Sequence, residues 1–330
     1  MNKRRLTRQQ RERIAAKQDE LSASVEDSNK DRHVGLVISH FGQQLDVEPA
    51  TDSGFPQVIR CHQRANLPAL VTGDRVVWQA ESENTGVILA AEERRSVFGR
   101  ADSGGDFKPL AANVDRVLVV IAVVPRAFAN LVDRYLVAIE NLGLEAMVVL
   151  NKADLLGPDG GSELDSMLSV YGKLGYACTR VSATTGAGRD ALAGALQGHT
   201  AVLVGQSGVG KSSLINCLTG GESSLVGDLS DAKYKGTHTT TATRLFHLDG
   251  FDLIDSPGIR EFHLTDCSAS QVLAGFRELR ELAGHCKFRD CSHRQEPGCA
   301  LQAAAADGEI EQGRLDSYFR ILQSIDTGGR

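Results

Sequence analysis

The run Val204-Gly205-Gln206-Ser207-Gly208-Val209-Gly210-Lys211-Ser212-Ser213 holds residue types whose spacing could bind phosphate. It follows G-x-x-x-x-G-K-S, the pattern of a phosphate-binding P-loop. Gly205, Gly208 and Gly210 let the backbone curl, so that N–H groups across Gln206, Ser207 and Val209 turn inward toward phosphate oxygens. Lys211 supplies a point charge for the β and γ phosphates, and the Ser212 hydroxyl is a ligand for Mg²⁺. A helix starting near Lys211 and running on through Ser213 adds its positive end. An apolar strand, Ala201 to Val204, precedes the loop, and Leu214-Ile215-Asn216-Cys217-Leu218 follows it. This is the context the motif requires.

Four further stretches carry matching chemistry. In Asn151-Lys152-Ala153-Asp154 the carboxylate can accept from guanine N1–H and the 2-amino group. Adenine offers no such donor pair and would leave the carboxylate unpaired. Asn151 can bridge the base edge to a neighbouring loop, and the Lys152 stem can cover the ring face. Ser182-Ala183-Thr184 can turn backbone N–H groups toward guanine O6. Asp255-Ser256-Pro257-Gly258 reads D-x-x-G, with Asp255 placed for a water-mediated Mg²⁺ contact and the Gly258 N–H near the γ-phosphate. A threonine within Gly236-Thr237-His238-Thr239-Thr240-Thr241 could complete the Mg²⁺ shell, and the spacing does not single one out.

A different chemistry stands near the C-terminus, in Cys286-x4-Cys291-x-His293-x5-Cys299. Three thiolates and an imidazole make a closed tetrahedral Zn²⁺ set, which is structural rather than catalytic. The chain has seven cysteines, an odd number, which in 330 residues argues for metal binding in a reducing compartment over a disulfide framework.

The elements that must position these residues are legible in outline. The chain is 42% hydrophobic and 24% charged, with a formal net charge of -6, an ordinary balance for a protein with a sizeable core. Its longest apolar run, Val117 to Val124, is too short to span a bilayer. The basic N-terminus has no apolar segment behind it and is no secretory signal. Residues 1–32 read as a basic tail, either a solvated extension or an arm for RNA phosphates. Over 33–97, short apolar bursts at 35–38, 45–47, 58–61, 75–78 and 86–89 between turn signals predict an all-β, five-stranded OB-like barrel. Such a barrel either binds RNA through one face or only packs on its neighbour. Trp78 is expected in its core, and Arg94, Arg95 and Arg100 could form a basic seam. Over 98–265 strand and helix patterns alternate, which predicts an α/β doubly wound parallel sheet with its loops converging on one crevice. Residues 266–330 are expected to form a small α-rich zinc domain. A terminal-helix stripe of Leu315, Tyr318, Leu322 and Ile325 should pack on it.

The order of the loops is unusual. NKAD and SAT precede the P-loop, and DSPG comes last, as in a circularly permuted GTPase. The barrel, the permuted NKAD…SAT…GQSGVGKSS…GTHTTT…DSPGIREF series and the C-x4-C-x-H-x5-C set together resemble the ribosome-associated GTPases of the RsgA (YjeQ) family. The resemblance covers nearly all of the chain beyond the tail. It implies GTP hydrolysis stimulated by the small ribosomal subunit, a role in late maturation of that subunit, and rRNA as a partner. It also implies Mg²⁺ with the nucleotide, one structural Zn²⁺, and a cytoplasmic monomer with no membrane partner. Carried over, guanine recognition falls on Asn151, Lys152 and Asp154, phosphate binding on Gly205 to Ser213, and zinc on Cys286, Cys291, His293 and Cys299. Ile259 follows Gly258, where many Ras-like enzymes carry a water-orienting glutamine. An aliphatic side chain cannot orient water, so unstimulated hydrolysis should be slow. His238 is either a contributor to catalysis or a polar loop residue. Two other readings compete: an RNA-binding scaffold in which GTP is a structural or state ligand, and an ATP-using small-molecule kinase, which NKAD disfavours.

Overall fold

Side-chain alternation along one central strand sets the layers of the larger part of the molecule, a computed structural model that describes residues 32–41, 44–50, 58–101, 106–157, 162–220, 243–255 and 267–328. Eight strands precede the first helix described: β1 (Arg32–Phe41), β2 (Gln44–Pro49), β3 (Ile59–Gln63), β4 (Arg75–Ala80), β5 (Thr85–Ala91), β6 (Val97–Ala101), β7 (Phe107–Ala112) and β8 (Arg116–Ala122). Within β8, Val117, Val119 and Ile121 point to one core, while Leu118, Val120 and Ala122 point to another. A strand covered on both faces must be apolar throughout, which explains the unbroken hydrophobic run.

The first core is closed by α1 (Ala129–Asn141) and α2 (Ser162–Lys173), through Tyr135, Leu136, Ile139, Leu168 and Tyr171. The second is closed by α3 (Arg189–Leu196) and α4 (Lys211–Leu218), through Leu192, Leu196, Leu214, Ile215 and Leu218. Between them lie β9 (Glu145–Asn151), β10 (Ala177–Arg180), β11 (Thr200–Val204), β12 (Thr243–Leu248) and β13 (Phe251–Asp255). The strand order is β10-β9-β8-β11-β13-β12; the first five run parallel and β12 is antiparallel to β13. This is the expected doubly wound sheet with one added antiparallel edge.

The five apolar bursts form β1 to β5, joined as β1-β2-β3-β5-β4 and closed by β1–β4 pairing, the connectivity of an OB-like barrel. Trp78 is 0% exposed in its core beside Val37, Leu45 and Ile59, as expected. A register shift between Val37 and Ser39 bends β1. Its first half pairs with β4, and beyond the bend Ser39 and His40 pair with Arg244 and Thr243 of β12. The barrel is thereby continuous with the larger sheet.

Two findings depart from the sequence reading. Arg94 is not part of a basic seam, because its guanidinium is turned inward onto the buried Asp74 carboxylate at 2.7 and 2.8 Å. Two further strands, β6 and β7, form a separate hairpin between barrel and sheet, with Arg100 opposite Lys108.

The C-terminal region is helical: α5 (Ala269–Ala274), α6 (Arg277–Leu282), α7 (Ala300–Ala306) and α8 (Gln312–Gly328). A capping box of Ser268 and Gln271 starts α5. Leu315, Tyr318 and Leu322 of α8 are buried with Phe276, Leu279 and Cys299, and Ile325 packs on the edge of that cluster. Val137 of α1 belongs to the same cluster, so the sheet and the C-terminal unit share a core. Around it Arg314 pairs with the fully buried Asp133 and with Glu278 at 2.7 Å, and Arg277 pairs with Glu140 at 2.7 Å. No helix among the described residues is long and apolar enough to cross a membrane.

Candidate functional site

Parallel strands deliver their following loops to one edge of the sheet, and that edge gathers the motifs. Asn151 ends β9, Ser182 follows β10, Gly205 follows β11 and Asp255 ends β13. Chain order is immaterial to this gathering, since strand adjacency alone brings the loops together.

The P-loop backbone takes conformations open to glycine. Gly205, with φ at 145°, lies so close to β8 that a Cβ would stand 2.2 Å from the Val120 carbonyl oxygen. Gly210, with φ at 92°, leaves no room either, because a Cβ would meet Asn151 Nδ2 at 2.5 Å. Lys211 folds back over the loop and donates to the carbonyls of Gly205 (2.5 Å) and Gln206 (2.7 Å). Val209 is buried and anchors the loop, while Ser207, Gly208, Ser212 and Ser213 are exposed. The loop thus presents polar groups around a backbone fixed from below.

The NKAD turn is fastened to this loop by two side chains. Asn151, 1% exposed, donates from Nδ2 to the carbonyls of Val209 (2.9 Å) and Gly210 (3.3 Å). Lys152 adopts left-handed backbone geometry at φ 58°. Its Nζ donates to Gly208 O (2.7 Å) and Val124 O (2.6 Å). Ala153 and Asp154 open the single 3₁₀ turn that follows. Asp154 is exposed, and one of its oxygens accepts from the Ser182 hydroxyl at 2.5 Å. That bond orients the carboxylate. The Ala183 N–H donates to Asn151 Oδ1 at 3.2 Å, so SAT, NKAD and the P-loop form one hydrogen-bonded unit. An exposed carboxylate beside such a unit can accept paired N–H donors from a planar base, with the P-loop left to receive an anion.

Arg189 was not singled out by the sequence. Its guanidinium donates to the Cys217 (2.8 Å) and Leu218 (3.2 Å) carbonyls, capping the far end of the P-loop helix α4. A lone arginine after a loop carries no signal of this kind. His238 and Gly258, with Ser256, Pro257, Ile259, the threonines of 237–241 and the tail before Arg32, lie outside the described residues.

The second cluster is Cys286, Cys291, His293 and Cys299, whose donor atoms all lie within 4.8 Å of one another. His293 Nδ1 stands 3.4 Å from Cys286 Sγ and 3.6 Å from Cys299 Sγ. Tetrahedral bonds of about 2.3 Å to sulfur and about 2.05 Å to nitrogen separate S and N by about 3.5 Å, so the set fits zinc. Burial lowers the His293 pKa, which favours the neutral imidazole a metal needs. The loop is braced around the ligands. Glu296 accepts from the Ser292 hydroxyl (2.5 Å) and from three backbone N–H groups, those of Ser292, Arg294 and Gln295. These bonds hold its carboxyl down at about 2. The Ala300 N–H points at Cys286 Sγ (3.4 Å), and Gln302 donates to the His293 carbonyl (2.8 Å). Such bonds support a ligand shell from behind.

Fold and site together define a P-loop GTPase whose NKAD and SAT loops precede its P-loop. The sequence profile of the RsgA GTPase family matches residues 91–265. A protein of Azotobacter vinelandii, described as small ribosomal subunit biogenesis GTPase RsgA, is 51% identical over 98% of both chains. Its Pseudomonas aeruginosa counterpart of the same description is 52% identical over 98% of both. The crystal structure of YjeQ from Thermotoga maritima superposes with a TM-score of 0.71 at 29% identity, covering 89% of this chain and 98% of that one. YloQ, described as a circularly permuted GTPase, gives 0.70 at 28%, covering 90% and 96%. The chain belongs to the RsgA GTPase family.

Proposed function

We propose that this chain hydrolyses GTP to GDP and phosphate while bound to the small ribosomal subunit, that the subunit stimulates turnover, and that the cycle serves late maturation of that subunit. The observation that carries the nucleotide half is the pair of bridges from Asn151 and Lys152 to the P-loop carbonyls, which ties a guanine-type carboxylate to a phosphate cradle. The ribosomal half is supported by the descriptions of relatives about half identical over nearly the whole chain.

In this reading Asp154 accepts from guanine N1–H and the 2-amino group, held by Ser182. Lys152 lies along the base, while Asn151 and Ala183 hold the neighbouring loops in place. The backbone from Gly205 to Ser213 receives the phosphates, with Lys211 on the β and γ groups. Ser212 and Asp255 would hold Mg²⁺, which neutralises phosphate charge when bound. Gly258 would place its N–H near the γ-phosphate. Cys286, Cys291, His293 and Cys299 would hold one structural Zn²⁺. Because Ile259 cannot orient water, the orienting group comes from elsewhere, and His238 is the candidate in this chain. The protein works in the cytoplasm as a monomer, with rRNA as its contact.

Multiple-turnover hydrolysis measured with and without small subunits tests the reading. Stimulation by subunits, with co-sedimentation favoured by a non-hydrolysable GTP analogue over GDP, is the expected result. Unstimulated turnover in both conditions would favour a scaffold that uses GTP as a state ligand. Unchanged stimulated turnover in His238→Ala would remove His238 from the mechanism.

A further inference from the structure

The helix α4 that follows the P-loop is 8 residues long, and the carbonyls at its far end can be accounted for one by one. Ile215 O accepts from the Thr219 N–H at 2.9 Å, and Asn216 O accepts from the Thr219 hydroxyl at 3.2 Å. The last two carbonyls, of Cys217 and Leu218, have no later turn of helix to bond them. Both accept from Arg189, at 2.8 Å from Nε and 3.2 Å from Nη2. A cation at this end also meets the negative pole of the helix. The acid nearest to the guanidinium, Asp190 at 3.7 Å, is 98% exposed, so water screens that contact.

Arg189 opens α3 directly after the SAT turn, and that turn is closed on itself. The Ser182 N–H donates to Ala187 O at 2.9 Å, the Gly186 N–H to Ser182 O at 2.8 Å, and the Thr185 N–H to the Ser182 hydroxyl oxygen at 3.1 Å. Gly188, with φ at 77°, packs so closely on β10 that a Cβ would stand 2.1 Å from the Arg180 carbonyl oxygen. A turn this constrained moves as one piece. Fixing Arg189 therefore fixes Ser182, whose hydroxyl orients Asp154, and Ala183, whose N–H meets Asn151. The NKAD and SAT turns thus grip the P-loop segment at both ends, through Asn151 at the loop and Arg189 at the end of the helix.

We propose that Arg189 is a positioning residue for nucleotide recognition: by clamping the SAT turn to the end of α4 it sets the separation between the Asp154 carboxylate and the phosphate loop, and with it the preference for guanine. The inference rests on the reading of Asp154 as the acceptor for guanine N1–H and the 2-amino group. Arg189 touches no nucleotide and acts through Ser182 and α4. A carboxylate shifted relative to the P-loop leaves phosphate binding intact but spoils the geometry of a paired hydrogen bond, which weakens steeply with angle.

The test compares binding of GDP with binding of IDP, which lacks the 2-amino group, in the full chain and in Arg189→Ala. The unaltered chain should prefer GDP by at least about tenfold, because IDP leaves a carboxylate oxygen unpaired. Arg189→Ala should cut that preference by about threefold or more, through a loss of GDP affinity that IDP does not share. Arg189→Met keeps the apolar stem and removes only the donors; it should do the same, and it carries the test if circular dichroism shows the alanine variant unfolded. A general loosening of the fold would weaken both nucleotides alike, so an unchanged preference in the folded variant overturns the proposal and leaves the Asp154 reading standing. No preference for GDP in the unaltered chain would overturn that reading, and this inference with it.

Discussion

The two clusters of functional residues are built on opposite principles. The nucleotide-type site hangs from the ends of parallel strands whose side chains, such as Val119, Val149 and Val202, are 0% exposed. Its loops are placed by burial before any ligand is considered. The metal-type site spans Cys286 to Cys299, contains no strand, and sits between the short helices α6 and α7. Its ligands are ordered mainly by local bonds to Glu296, Gln302 and the Ala300 N–H. A sheet core can preorganise a site, whereas a loop this short needs a cross-link. The first site should therefore outlast loss of its ligand, and the second should not.

Removing the metal is the strongest way to break that contrast. Structural zinc supplies on the order of 10 kcal/mol to the unit that holds it. Chelation, or Cys299→Ser, should release one metal ion per chain and raise amide exchange through α7 and the start of α8, while β8, β9 and β11 stay protected. Exchange in α7 that does not change after full metal loss would show that burial of Leu301 and Tyr318 suffices there, and the contrast would fail.

Cutting the link between the two regions comes next. Arg314 is 5% exposed and ties Asp133 of the sheet side to Glu278 of the C-terminal side. Arg314→Met leaves both buried carboxylates without their cation, although Asp133 keeps the Tyr171 hydroxyl, and this costs about 3–5 kcal/mol. Denaturant unfolding should show the C-terminal helices loosening first, with metal content retained. The nucleotide site offers a smaller, cleaner change. Asp154→Asn keeps shape but replaces an acceptor with a donor opposite the guanine 2-amino group. Affinity for GDP should fall by about 2–4 kcal/mol, while xanthosine diphosphate, with an oxygen at that position, should gain. Equal losses for both nucleotides would place Asp154 away from the base.

What the sequence disclosed follows the same division. The parallel strands were readable because covering both faces demands unbroken apolar runs such as Val117 to Ala122. The metal-type set was readable because four ligands, three cysteines and a histidine, stand close together in the chain. Less visible were features that depend on partners distant in the chain. β12 reads as Thr243-Arg244-Leu245-Phe246-His247-Leu248, and only its neighbours β13 and β1 make it a strand. The β6–β7 pair has a local mark, apolar Val97-Phe98 and Leu110-Ala111 flanking the turn-type residues Asp102-Ser103-Gly104-Gly105, but its short strands lie between the stronger patterns of barrel and sheet. Arg94 looked like surface charge because its partner Asp74 lies 20 residues back, in the turn before β4. Arg189 and Arg314 act through carbonyls and carboxylates that no local pattern announces.

The smallest effect concerns the seam where the barrel joins the sheet. His247 of β12 bonds Asp252 of β13 through Nδ1 at 2.7 Å and Glu48 of β2 through Nε2 at 2.8 Å. Those two hydrogen bonds, Asp252 first, raise its pKa from 6.5 to about 10. A folded-state value above the unfolded one means the charged form favours the fold. Its contribution is whole below pH 6.5 and drains away as pH rises through about 10. The side chain is 35% exposed, so solvent screening leaves roughly 1–2 kcal/mol rather than the full shift. Urea unfolding followed by fluorescence of Trp78, the chain's single tryptophan, reads the barrel directly. The native protein should lose stability from pH 6.5 upward, and His247→Gln should flatten that slope while leaving metal content unchanged. If the variant keeps the slope, the histidinium does not clamp the seam, and the barrel is held to the sheet by the β1–β12 pairing and by Ser39 on the Thr243 carbonyl.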